Sequence, residues 1–264
     1  MKKNKRRGIT VVLSGGGAKG LAHIGVLEIL DENKIPIKKI VGTSAGALIG
    51  GMYCAGKLNE AKEMFLNLKK KDVFKMLFSL PSYHYMFNSR RVDEKLKDFT
   101  KDLNIEDLKT DFIAVGFNLS EQKKIIFNKG SLFNAIRSSI SIPGFFEPFK
   151  LGESLIVDGG VSDILPVSIA RKYDKKGKII AVNVEANHTK ELKNFSFFNV
   201  ANYSNYFQNS LLSKFQEEGA DVVIRPHVKV STFDFYEAKH LIAEGRRSAK
   251  RALPKIREIL KKQE

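Results

Sequence analysis

Two rhythms of apolar and polar positions divide this chain. Short runs rich in Ile and Val at 9–14, 38–43, 154–157 and 178–184, with Asp221 to Arg225 as a last, shorter run, read as buried strands. Segments with helical spacing at 18–32, 45–55, 59–70, 166–173, 236–244 and 246–261 separate them. A further helix starts near Asn88 or Ser89 and carries Val92, Leu96 and Phe99, while Ser131 caps one that runs through Ser139. Phe112 to Asn118 and Lys124 to Asn128 read as strands joined by the Ser120–Glu121 turn. Alternation of strands with helices is the signature of an α/β fold, and no repeat or low-complexity linker divides residues 1–264 into more than one domain. The segment from Lys69 to Phe78 mixes lysines with aromatics before Pro81 and reads as a lid or interfacial stretch.

Candidate chemistry sits where these rhythms change. The second strand runs into Gly42-Thr43-Ser44-Ala45-Gly46 and then into a helix. A Gly-x-Ser-x-Gly turn at a strand-to-helix junction holds its serine hydroxyl exposed at a helix N-terminus, and the glycines admit the close packing this requires. The first strand runs into Ser14-Gly15-Gly16-Gly17-Ala18-Lys19-Gly20. Successive residues without side chains let backbone amides converge, as an oxyanion hole needs. The same letters satisfy the dinucleotide fingerprint through Gly15, Gly17 and Gly20, but the next strand ends in Gly42-Thr43-Ser44 and not in the acidic residue that would hold a ribose. A Walker loop is excluded because Lys19 is followed by Gly20. Downstream, an apolar strand ends in Asp158-Gly159-Gly160, either a common turn or a carboxylate delivered to a sheet edge. If the sheet is parallel, the carboxyl ends of its strands share one edge and Ser44 and Asp158 can meet there.

Taken together, these segments resemble the patatin-like family of lipid acyl hydrolases. Gly15 to Gly20 match its glycine-rich oxyanion loop, Gly42 to Gly46 its nucleophile elbow and Asp158 to Gly160 its Asp-Gly-Gly motif; Arg137 to Pro148 resemble the segment before the catalytic strand. The resemblance implies a three-layer α/β/α fold with a mostly parallel central sheet. It also implies a Ser44–Asp158 dyad working without histidine, with Gly15, Gly16 and Gly17 as the oxyanion hole, no cofactor, and a phospholipid or lysophospholipid ester as substrate. The order Ser44, Asp158, His188 also permits an α/β-hydrolase triad. A lipid-surface module that has lost catalysis is a third reading.

Composition narrows the partners. Lys and Arg number 45 against 29 Asp and Glu, a net charge of +16. Such a surplus attracts polyanions, and with neither a helix-turn-helix nor a zinc-finger spacing an anionic membrane surface is expected over nucleic acid. Apolar runs are too short to span a bilayer. Basic residues at 1–7 lead into the first strand without a signal core, so a cytoplasmic protein, peripheral at the membrane, is expected. Cys54 falls on the apolar elbow helix, as a buried thiol does. No His, Cys and carboxylate grouping has metal-ligand spacing. His23 is expected to be packed, His227 to lie in a loop, Lys19 to extend into solvent, and Phe145, Phe146 and Phe149 to be core or pocket residues. The aromatic cluster Phe195, Phe197, Phe198, Tyr203, Tyr206 and Phe207 is expected at a lipid rim or a dimer interface. The last helix should dock through Ala249, Leu253, Ile256 and Leu260 and present its basic face outward.

Overall fold

In the computed structural model, residues 8–78, 89–186 and 197–262 are described. The strands are β1 (Ile9–Leu13), β2 (Ile37–Thr43), β3 (Asp111–Asn118), β4 (Lys123–Phe127), β5 (Phe149–Leu151), β6 (Ser154–Asp158), β7 (Ile179–Val182) and β8 (Val222–Ile224). The α-helices are α1 (Ala22–Glu32), α2 (Ala45–Cys54), α3 (Leu58–Leu66), α4 (Lys70–Phe78), α5 (Ser89–Thr100), α6 (Leu132–Ser139), α7 (Val167–Tyr173), α8 (Phe197–Phe215) and α9 (Ala238–Lys261).

All eight strands form one sheet, linked in the order β5-β6-β3-β2-β1-β7-β8 with β4 also on β3. Strands β3, β2, β1, β7 and β8 run parallel, whereas β4, β5 and β6 pair antiparallel at one end. Alternate strand residues face opposite layers, as a pleated strand requires. Val11, Leu13, Ile40, Phe112, Ala114, Ile180 and Val182 join the core packed by α1, α2, α6 and α9. Val12, Val41, Ile113, Val115, Ile179 and Ala181 meet α7 through Val167, Ile169 and Ala170. Strands buried on both faces are why these runs are continuously apolar.

Several boundaries differ from the sequence expectation for identifiable reasons. Residues 17–21 form a 3-10 turn before α1, set by positive φ at Gly16 (147°) and Gly17 (55°). Residues 236–244 and 246–261 are not two helices, since α9 runs unbroken through Gly245. That glycine meets α1: a Cβ on it would stand 1.9 Å from the Ala22 carbonyl oxygen, and one on Gly25 would stand 2.1 Å from that of Ile242. Glycine serves here as a contact surface between two helices. Ala249 and Ile256 are fully buried and Leu253 and Leu260 pack against the same core, so α9 docks on the body as its apolar face predicts. Helix α3 ends at Leu66, and the lysine-aromatic segment forms α4. Strand β5 and helix α8 lay outside the expected elements. Ser131 does cap α6, its hydroxyl accepting from the Asn134 amide at 3.3 Å.

Candidate active site

The elbow is built as its glycines dictate. Ser44 caps α2 with φ 54° and ψ −123°, a left-sided conformation that costs a non-glycine residue on the order of 1–2 kcal/mol. Surrounding packing enforces it. A Cβ on Gly46 would stand 2.2 Å from the Leu13 carbonyl oxygen, and one on Gly42 would stand 2.5 Å from the Gly46 backbone. On Gly20 it would meet the Ala45 Cβ at 2.4 Å, which ties the first glycine loop to the elbow. Ser139 completes the support: its hydroxyl accepts from the Ser44 amide at 2.9 Å and donates to the Val115 carbonyl at 2.6 Å. This brace was missed in the sequence, although Ser139 lies in the Arg137–Pro148 segment.

Asp158 reaches Ser44 by a route the parallel-sheet argument did not foresee. Strand β2 pairs with β3 up to Thr43 opposite Val115, and β6 pairs antiparallel with β3 from Asp158 opposite Gly116. Since β4 occupies the other edge of β3 at 114–118, β2 and β6 share one edge and meet end to end between Val115 and Gly116. The juxtaposition stands, and its cause is a head-on meeting of two opposed strands. Gly159 lies so close to β3 that a Cβ would stand 2.4 Å from the Val115 carbonyl oxygen. The Gly160 amide donates to Asp158 Oδ1 at 2.7 Å. Asp158 is 4% exposed, and its Oδ2 has no hydrogen-bond partner among the described residues. Burial pushes its carboxyl up to about 7, while the adjacent Ser44 hydroxyl and the Gly160 amide pull the other way.

The glycine loop divides its amides. Gly15 donates to the Ile164 carbonyl at 2.8 Å, so its N–H is spent on structure. Gly16 and Gly17, whose amides have no partner among the described residues, line the same cavity as Ser44 and Asp158. That cavity has a volume of about 640 Å³. Ile142, Phe145, Ile164 and Leu212 form an apolar wall, and Asn205, Tyr206, Gln208 and Asn209 of α8 form a polar one. Phe146 instead packs beside Phe145 and Val73, and Phe149 sits edge-on to Phe133 at 6.1 Å.

Lys19 does not extend into solvent. It is 1% exposed, paired with the Glu185 carboxylate, hydrogen-bonded to the Tyr206 hydroxyl and 3.8 Å from the centre of the Tyr206 ring. Glu185 lines the cavity too, and its Oε1 is 3.2 Å from where a Cβ on Gly16 would lie. The one sequence signal for Glu185 was an acidic residue just beyond a parallel strand. His23 is fully buried, with Nε2 at 2.9 Å from the Ser14 carbonyl; burial brings its imidazole down to about 4, as a packed histidine. Cys54 is buried on α2. His188, Phe195 and residues 1–7 lie outside the described residues, as do the side chains of Phe197 and Phe198. No helix among the described residues is long and apolar enough to cross a membrane.

With this geometry in place, the comparison with known proteins has a clear result. Residues 11–171 match the family model described as patatin-like phospholipase. The chain belongs to the patatin-like phospholipase family. The matched span contains the elbow, the glycine loop and Asp158, and it leaves out Glu185, α8 and α9. A Mycobacterium bovis protein described as an uncharacterized NTE family protein is 34% identical over 160 residues, covering 61% of this chain and 44% of its own. The neuropathy target esterase sws of Drosophila melanogaster is 31% identical over 71% of this chain and 14% of its own. Lysophospholipase NTE1 of Candida glabrata is 34% identical over 67% and 10%. This chain therefore spans less than half the length of these curated relatives. VipD from Legionella pneumophila shares the patatin-like fold, with a TM-score of 0.54 and 14% identity over 94% of this chain and 67% of that one.

Proposed function

We propose that this patatin-like protein is a serine acyl hydrolase that cleaves fatty-acyl esters of phospholipids or lysophospholipids through an acyl-enzyme. The observation that carries the reading is Ser44, held in a strained elbow beside a buried carboxyl shifted to about 7, in a cavity with two glycine amides that have no partner among the described residues. Asp158 takes the proton from Ser44 as Oγ bonds to the acyl carbonyl carbon; the Gly16 and Gly17 amides receive the oxyanion. The carbonyl re-forms as the ester oxygen leaves with the proton, and water then releases the fatty acid by the same sequence. Each oxyanion donor contributes roughly 3 kcal/mol to the transition state. A base near 7 suits this task, because about half of it is ionised at neutral pH and it is basic enough to draw a hydroxyl proton. Family membership and the esterase and lysophospholipase names of two relatives support the lipid ester as substrate.

The test is product analysis by mass spectrometry after incubation with mixed phospholipids and lysophospholipids. Free fatty acid is expected from the native protein, with a loss of at least about 10³-fold for Ser44→Ala at unchanged melting temperature. Fluorophosphonate labelling should disappear in the same variant. Equal release by both proteins would remove Ser44 from the mechanism, and release by neither would leave the catalytically silent reading.

A further inference from the structure

Helix α8 is amphipathic in the sense opposite to that expected of a helix bounded by water. Ser210 and Ser213 are buried on its inner face, Tyr206 meets Lys19, and Gln216, just past its end, bonds both the Leu165 amide and the Ser162 carbonyl at 2.9 Å. Val200, Phe207, Leu211 and Phe215, spaced by seven, four and four, share the outer face and are 40%, 50%, 43% and 79% exposed. Among the described residues no α8 side chain joins the apolar clusters of the body. The inner face of the helix thus carries these polar contacts together with Leu212 on the cavity wall, while its apolar stripe is turned outward beside the Ser44 cavity that its inner residues help to line.

We propose that the outer face of α8 docks the protein on a lipid bilayer carrying anionic headgroups and sets the cavity mouth at that interface. The placement of the cavity mouth rests on the acyl hydrolase reading; the docking itself does not. Two observations favour a bilayer over a second copy of the chain. The four side chains expose roughly 400 Å² of apolar surface, about half of the ~800 Å² per partner that a stable protein interface buries. A bilayer sets no such minimum, and an amphipathic helix lies in its surface with the apolar face down. The net charge of +16 repels a like copy and attracts anionic lipid, and Lys214 is exposed on the same face of α8.

The experiment is co-sedimentation with vesicles of phosphatidylcholine and phosphatidylglycerol, using the native protein and the triple variant Phe207→Ser, Leu211→Ser, Phe215→Ser. These side chains lie outside the cavity, so folding should persist, checked by circular dichroism. Binding is expected to fall at least tenfold in the variant, and hydrolysis of vesicle-borne ester to fall with it, while a soluble short-chain ester is turned over within twofold of native. Unchanged vesicle binding overturns the proposal. So does concentration-dependent dimerisation of the native protein in sedimentation velocity that the triple variant abolishes, since a second copy would then own the face. Repeating the binding in Ser44→Ala separates the two readings: stripe-dependent binding without turnover by the native protein leaves docking intact and removes the hydrolase.

Discussion

Asp158 joins deep burial to the charge that the proposed general base must carry. Its carboxyl sits at about 7 in the fold against 3.8 as the ordinary value, so the folded state holds a proton that the unfolded chain releases. A pKa raised on folding stabilises the protein below the unfolded value and withdraws that support as pH climbs to the folded one. Asp158→Asn abolishes this dependence between about pH 4 and 7. Its stability relative to the native protein, from urea unfolding, is expected to be greater at pH 8 than at pH 5 by up to roughly 3 kcal/mol. The native kcat/KM on a soluble ester should rise with pH through an inflection near 7, because only the ionised carboxylate accepts the Ser44 proton. A rate flat down to pH 5 would exclude Asp158 as the base. Asp158 was legible as a residue because an apolar run ending in Asp-Gly-Gly is a local pattern. Its shifted proton affinity was not, because burial is a property of everything packed around it.

Helices α1 and α9 meet through glycine on both sides. Position 245 read as a break because glycine is a poor helix former, costing about 1 kcal/mol against alanine. Its partner surface, the Ala22 carbonyl, lies 223 positions earlier and leaves no local trace. Gly245→Ala therefore has opposed local and tertiary effects. Helix propensity alone would stabilise the variant by about 1 kcal/mol, but the new Cβ, 1.9 Å from that oxygen, forces the helices apart. A net loss of up to about 2 kcal/mol is expected in denaturant unfolding, and a gain in stability would show that α9 shifts freely on α1. The first-half strands were legible to within a few residues, since Ile9–Leu13 is buried throughout and Ile37–Thr43 becomes buried from Ile40 onward, leaving short apolar runs that end in glycine turns. Helix α8 was not, because its apolar stripe is interrupted by Ser, Asn and Gln that face inward.

Across the molecule, the Lys19–Glu185 pair joins the glycine loop after β1 to the segment just past β7, and Tyr206 adds α8 to the same contact. Removing one partner of a buried pair leaves a charge without compensation, at a cost of about 3–5 kcal/mol. Lys19→Met is expected to lose that much stability and also kcat, since the Glu185 carboxylate then repels the oxyanion beside Gly16. Adding Glu185→Gln should restore most of both, measured as a double-mutant cycle in unfolding and in turnover. Additive losses would mean that the pair does not act as one unit. By itself the sequence determined the α/β alternation, the elbow at Ser44 and the family, because apolar periodicity and glycine sterics act over a few residues. Tertiary structure alone decided that β6 runs against β3 to bring Asp158 to Ser44, that the Gly15 amide is spent, that Lys19 is buried, and that α8 turns its apolar face outward. Each of those depends on groups brought together from distant parts of the chain, and burial and hydrogen bonding exist only once they have met.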